Sequence, residues 1–169
     1  MVQIENLPLV LTGLGLTASV LYYTMVLRNA NKTQQMQLET RQAQFLMNIL
    51  NTLRSMEFRN QWHILERLEW TDFNDFLEKY EKDVESISAW TSIMMFFDGI
   101  GVMVDKGLID IDIIYPLICG SVRMTWERFE PLILGDREYL KPYTNAWTKF
   151  EYLYKEVKKY ETLHPELAT

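Results

Sequence analysis

The chain has 169 residues, of which 48% are hydrophobic and 13% aromatic, and its formal net charge is −6 at pH 7. The chain has 23 acidic and 17 basic residues. This acidic balance argues against nucleic-acid binding, which depends on neutralising phosphates with cations. One cysteine excludes an intramolecular disulfide, and two histidines cannot supply a histidine-rich metal site.

The first predicted element is a membrane-spanning helix over residues 7–27. This stretch carries no charge, and at about 1.5 Å per residue it matches the roughly 30 Å hydrocarbon layer of a bilayer. Asn6 is a predicted N-cap, and Pro8 falls in the first turn, where it removes no intrahelical bond. We assign to the span Leu7, Leu11, Leu14, Leu16, Val20, Leu21 and Leu27.

The charges that flank this segment predict its orientation. Arg28, Lys32 and Arg41 follow the span and only Glu39 opposes them. The positive-inside rule then predicts a single-pass protein of the plasma membrane, with the N-terminus outside and the C-terminal part in the cytoplasm. A cleaved signal peptide is disfavoured because no basic residue precedes the span. A buried core helix is disfavoured because no second uncharged run of this length could enclose it.

The helix is predicted to continue beyond the bilayer as a stalk. Neither glycine nor proline occurs between Leu16 and Asp98, so nothing forces a break where the span ends. We therefore divide the chain into an anchor over residues 1–28, a juxtamembrane stalk over 29–54 and a cytosolic helical domain over 55–169. Three-four spacing defines one apolar face of the stalk: Leu38, Phe45, Leu46, Ile49, Leu50 and Leu53.

The first helices of the cytosolic domain are predicted from capping residues and apolar spacing. Ser55 and Thr71 are good N-cap types, so new helices are expected to begin near them. A later helix is expected to be buried nearly all round and to form the centre of the core, with Met95 on one of its faces. Its apolar stripe is Ile87, Trp90, Met94, Phe97 and Val104.

The remaining helices follow a glycine stop. Gly107 is predicted to end the central helix, and Asp110 to start the next. Residues 109–113 also alternate as a strand does, but no partner strand is evident, so we prefer a helix. Pro116 predicts a kink or a late start in this helix. The last helix carries the stripe Tyr143, Trp147, Phe150, Tyr154 and Val157. The predicted fold is all-α, with one transmembrane helix continuing into a helical bundle.

Motifs that could carry chemistry are better explained by structure. His63 and Glu66 give half of a di-iron pattern in reversed order. Cys119 lies among apolar neighbours, which favours a small core residue. Residues 98–101 (DGIG) superficially suggest a phosphate loop but lie within a helical pattern, where glycines permit close packing or a bend. We therefore predict no catalytic residue, no cofactor and no metal ligand, and lean against an enzyme.

Five short motifs together resemble a known family. They are residues 40–44 (TRQAQ), 96–102 (FFDGIGV), 107–110 (GLID), 126–131 (WERFEP) and 150–154 (FEYLY). This combination resembles the archaeal and bacterial domain-of-unknown-function 4760 family. The resemblance implies one N-terminal membrane span before a helical body, and it supplies no catalytic or binding residue.

Two functions from different classes fit these patterns. The first is a non-catalytic interaction module or accessory subunit of a larger membrane complex, in contact with membrane lipid and a protein partner. The alternative is a small-ligand sensor or enzyme with a pocket between helices near Trp126, Glu127 and Arg128, where an aromatic residue and two charges fall together. On this helix Arg123 is spaced to reach Glu127. Self-association through the stalk is a third hypothesis. Candidate interaction residues are Gly15, Ser19, Leu46, Ile49, Leu53, Trp126 and Arg128.

Overall fold

The computed structural model describes residues 7–141 and 145–167. Over these ranges the chain forms α-helices and no strand, which confirms the all-α prediction, including the helix preferred after Asp110. The predicted N-cap Asn6 and the first residue of the last stripe, Tyr143, lie outside the described residues. The helices are α1 Leu7–Arg54, α2 Met56–Arg67, α3 Phe73–Tyr80, α4 Val84–Asp105, α5 Ile111–Leu140 and α6 Thr148–Leu163, followed by a 3₁₀ turn at Pro165–Leu167.

The chain divides into two compact units, Met1–Gln44 and Phe45–Thr169. In the first unit, α1 leaves every side chain from residue 8 to residue 41 exposed. Helix α1 has no break where the uncharged segment ends and continues to Arg54. The division into anchor, stalk and cytosolic domain stays a prediction.

Hydroxyl groups in the uncharged part of α1 are satisfied within the helix itself. Thr12, Thr17, Ser19 and Thr24 each donate to the backbone carbonyl four residues earlier, at 2.7 to 2.8 Å. This matters in lipid, where a polar group without a hydrogen bond is costly and no water is present to supply one. The segment therefore exposes apolar side chains with internally bonded hydroxyls between them.

Helix α4 lies at the centre of the second unit and contacts α2, α3 and α6. Ile93, Met94 and Phe97 are fully buried on it, as the apolar spacing predicts. The expectation of burial on nearly every face is wrong, because Met95 is 61% exposed and Val102 is also exposed. The described helices pack on the other faces of α4, and the face that carries Met95 has no such cover.

Two helix starts show how capping fixes the chain. Ser55 is the N-cap of α2 and accepts from the backbone N–H of Phe58 at 3.1 Å, as predicted. The N-cap of α3 is Asp72 rather than Thr71. Asp72 accepts from the N–H of Asp75, and the Asp75 carboxylate accepts from the N–H of Thr71 at 2.8 Å. These two hydrogen bonds satisfy two backbone N–H groups. The carboxylates of Asp72 and Asp75, rather than the hydroxyl of Thr71, therefore cap the start of α3.

The end of α4 and the start of α5 agree with the sequence. Gly107 has φ of +62°, and the N–H of Leu108 donates to Met103 in the arrangement of a Schellman motif. Asp110 is the N-cap of α5. The helix begins at Ile111, ahead of Pro116, so it does not start late, and the alternative of a kink at Pro116 stays a prediction.

The start of α6 differs from the apolar stripe that predicts it. Trp147 is the N-cap of α6 and has φ of +61°, so it is not a helical residue. Its indole N–H donates to the carboxylate of Asp136 near the end of α5. The apolar stripe with three-four spacing therefore includes Trp147, which lies outside the helix and is held there by its hydrogen bond to Asp136.

Helix α4 and the start of α6 are in close contact at Gly101. A Cβ atom at this position would lie 1.9 Å from the carbonyl oxygen of Lys149, a distance that no real contact allows. A Cβ at Gly99, two residues earlier, would meet nothing within 4 Å. Only the second glycine of residues 98–101 is therefore required for packing.

This difference predicts opposite effects of two alanine substitutions. We expect Gly101→Ala to lower the free energy of unfolding by about 1–3 kcal/mol, because the helix backbones must separate. Gly99→Ala is the matched control and should be neutral or stabilising by about 0.5–1 kcal/mol, because alanine favours a helix interior. Urea denaturation followed by tryptophan fluorescence measures both. Equal effects of the two substitutions would contradict the close contact.

Candidate functional site

The N-terminus of α6 is held by a carboxylate from another helix. Asp98 of α4 accepts from the backbone N–H groups of Lys149 and Phe150, both at 2.9 Å. These are among the donors that a helix leaves without an intrahelical partner at its start. Residues 98–101 thus combine a cap at Asp98 with a close approach at Gly101, which confirms the packing interpretation over a phosphate loop.

A second group of polar contacts ties α5 to the same end of α6. Arg137 donates to the carbonyl of Ala146 at 3.0 Å and forms an ion pair with Glu151 at 2.8 Å. The hydrogen bond from Lys155 and that from Arg137 lower the pKa of Glu151. On the α4 side, the ammonium of Lys149 lowers the pKa of Asp105. These contacts link both α4 and α5 to the start of α6.

A small cavity lies between α2 and α5. Its volume is about 30 Å³. The lining residues recur at three-four spacing on each helix, so one face of α2 meets one face of α5 across the cavity. The lining residues are Trp62, Leu65 and Glu66 of α2, and Met124, Thr125, Arg128 and Phe129 of α5.

The polar groups of this cavity differ in how they are satisfied. The indole N–H of Trp62 donates to Glu66 at 2.8 Å. Arg128 donates through Nη2 to the carbonyls of Glu66 and Leu68, at 2.8 and 3.3 Å, at the C-terminal end of α2. Thr125 is only 2% exposed, and its hydroxyl has no hydrogen-bond partner among the described residues.

The candidate interaction residues occupy several environments. Trp126 is 3% exposed, and its ring stacks on Tyr154 and meets Phe150 edge-on. It therefore lies in the core beside the cavity rather than on an open surface. Arg128 is exposed, and its guanidinium lies 5.0 Å from the centre of the Phe129 ring.

The other candidate residues belong to α1. Ile49 is buried in the core of the second unit, and Leu46 and Leu53 are partly buried against that core. Their apolar face thus already packs within the chain. Gly15 and Ser19 are exposed in the first unit. The interaction roles assigned to all of these residues stay predictions.

One predicted contact on α5 is wrong. Arg123 does not pair with Glu127, four residues along the helix, but with Glu161 of α6 at 3.4 Å. Glu127 instead accepts from the hydroxyl of Tyr154 at 3.5 Å. The packing of α6 on α5 offers both side chains a partner that helical spacing alone cannot reveal.

Residues considered for metal or nucleophilic chemistry lie apart. His63 and Glu66 meet at 3.4 Å on the surface of α2. Cys119 is partly buried against the core. Among the described residues, no three His, Cys, Asp or Glu side chains come together as a metal ion would require.

Sequence analysis did not identify Thr125 or Asp98 as special. Asp98 carried a signal, since it is a charged residue within the apolar pattern of α4 and needs a polar partner. Thr125 carried none, because a threonine on a helix ordinarily bonds to its own backbone.

The structure thus defines a class: a helical protein with a long N-terminal helix whose uncharged part is exposed, and with a helical body that holds a small cavity between α2 and α5. The family model described as "Domain of unknown function (DUF4760)" matches residues 9–157. The chain belongs to this family, as the five motifs indicated. No curated protein and no solved structure matches the chain significantly.

The shared motif at residues 126–131 can be tested for its structural role. Arg128→Met should lower the free energy of unfolding by about 1–2 kcal/mol, because it removes a cation and two hydrogen bonds from the end of α2. Arg123→Met is the matched control and should cost less than about 1 kcal/mol, because Arg123 is exposed and Glu161 keeps its ion pair with Lys158. Thermal denaturation followed by circular dichroism measures both. A neutral Arg128→Met would contradict the capping role.

Proposed function

We propose that this protein is a membrane-anchored interaction module, an accessory subunit that brings a helical body to a larger membrane complex. The observation that carries the proposal is the uncharged part of α1, which is long and apolar enough to cross a bilayer and has no buried residue. Helix α4 passes the same length and composition test. It differs in that its apolar residues already pack in the core of the body.

The proposed topology places the N-terminus outside the plasma membrane and the body in the cytoplasm. Support comes from Arg28, Lys32 and Arg41, which follow the uncharged segment and are exposed on α1. Tyr22 and Tyr23 lie five to six residues before Arg28, the first of these cations, a level at which aromatic rings favour the membrane interface.

Membrane insertion can be tested with charges placed inside and outside the proposed span. Arginine at the centre of a spanning helix costs about 2.5–3.5 kcal/mol. The double substitution Leu16→Arg with Val20→Arg should therefore release the chain into the supernatant of an alkaline membrane extraction. Met36→Arg with Leu38→Arg alters equally exposed positions of α1 and should leave the chain in the pellet. Identical partitioning of the two variants would contradict the anchor.

The docking part of the proposal is supported by large apolar side chains that the body leaves exposed. Scattered single apolar residues are normal on a surface, but methionines suit adaptable interfaces because they are flexible and polarisable. Met95 on α4 and Met124 on α5 are both more than half exposed. Others are Met56, Val84, Val102, Leu108, Leu117, Leu134, Tyr139, Leu163 and Leu167.

Crosslinking in native membranes tests for the partner. A photoreactive residue at position 95 or 124 should give one dominant adduct with a foreign protein, whereas the same residue at the exposed, charged position Lys82 should give none. An adduct of twice the chain mass would show that the partner is a second copy of this chain rather than a foreign protein. Equal labelling at all three positions would contradict a docking surface on the body.

A second candidate function is favoured by the cavity between α2 and α5. It lies beside Trp126, near which the sequence predicts a pocket for a small ligand. The cavity is also lined by the buried hydroxyl of Thr125, which has no hydrogen-bond partner among the described residues. A small-ligand sensor is therefore the alternative to a purely structural subunit.

A further inference from the structure

The hydroxyl of Thr125 is exceptional among the helical threonines of this chain. Six others donate to the carbonyl four residues earlier, namely Thr12, Thr17, Thr24, Thr33, Thr40 and Thr162. The remaining described helical threonines, Thr52, Thr91 and Thr148, are not buried. Thr125 is 2% exposed and makes no such bond. A buried polar group without a partner is unfavourable, and this one lines a cavity. The site therefore calls for a hydrogen-bonding occupant.

The size of the cavity limits what reaches its floor. Its volume of about 30 Å³ exceeds the roughly 10–15 Å³ that one water molecule needs on the same measure. Leu65, Thr125 and Phe129 are buried and form the floor, whereas Glu66 and Arg128 are exposed and lie at the rim. A group of one heavy atom with its hydrogens fits the floor, and the remainder of a ligand must extend towards the rim.

Opposite charges at the rim remain unpaired with each other. Glu66 accepts from Trp62 and meets His63, and Arg128 uses Nη2 for backbone carbonyls. Within the described residues, no ion pair joins Glu66 to Arg128, and Nε and Nη1 of Arg128 have no partner. A single anion would face the Glu66 carboxylate, and a single cation would face the guanidinium. A ligand with both charges satisfies each.

We propose that this cavity binds the zwitterionic head group of a small α-amino acid such as glycine, alanine or serine. The ammonium group enters from the rim, where it donates to the carboxylate of Glu66, and reaches the hydroxyl of Thr125 on the floor. The ligand carboxylate accepts from Nε and Nη1 of Arg128, a charge-assisted interaction that arginine geometry favours.

This inference rests on the second proposed function and names the ligand class for it. The experiment is isothermal titration of the full-length protein in detergent with glycine, alanine and serine at millimolar concentrations. We expect saturable binding of at least one of the three. Acetate and methylamine each carry only one of the two charges, and we expect at least tenfold weaker binding of both.

Two variants assign binding to the cavity and keep Arg128, which also caps α2. Glu66→Gln preserves shape and should weaken amino-acid binding at least tenfold. Thr125→Val removes the hydroxyl and keeps the volume, so it should weaken binding severalfold and raise the melting temperature of the unliganded protein. If the cavity holds only water, Thr125→Val should still raise the melting temperature, but the unsubstituted protein should show no amino-acid binding.

Three results would overturn the inference. They are no binding of glycine, alanine or serine, equal binding of acetate or methylamine, and unchanged affinity in both variants. A parallel thermal-shift screen of other metabolite classes separates this failure from that of the sensor function. Another class that stabilises the protein, with Thr125→Val abolishing the effect, overturns the amino-acid ligand and leaves the sensor standing. Silence of the whole screen overturns both.

Discussion

The body depends on one contact, the approach of α6 to α4 at Gly101. Because this glycine has no side chain, the carbonyl of Lys149 lies closer to its backbone than a residue with a Cβ atom would allow. At that distance Asp98, one turn earlier on α4, reaches the backbone donors at the start of α6. Close packing and capping therefore require each other. The stacked rings of Phe97 and Phe150 fill the space beside this junction.

Patterns that depend on local spacing predicted the helices well. The apolar stripe of α4, the cap at Ser55 and the glycine stop at Gly107 all follow from interactions within a few residues. Trp147 and Met95 were misplaced, for a different reason in each case. Trp147 leaves the helical conformation for a hydrogen bond to Asp136, and Met95 stays exposed because no helix of the body covers its face of α4.

The cavity between α2 and α5 shows where sequence reasoning stops. The region near Trp126 was predicted as a pocket because aromatic and charged residues fall together there. Trp126 itself proved to be a core residue, and the lining comes from its neighbours Thr125 and Arg128 together with residues of α2. Which side of a helix faces a cavity depends on how distant helices meet, as the partner of Arg123 on α6 also shows.

If α1 crosses a bilayer as proposed, its internally bonded hydroxyls limit the ways in which two copies of the helix can pair there. Thr12, Thr17, Ser19 and Thr24 already use their protons on carbonyls of the same helix. They therefore bring few donors to a neighbouring span. Lateral pairing would rest on shape, with Gly15 allowing two backbones to come near and dispersion forces supplying the attraction. Such pairing would be governed by steric fit and by lipid packing rather than by hydrogen bonds between the two helices.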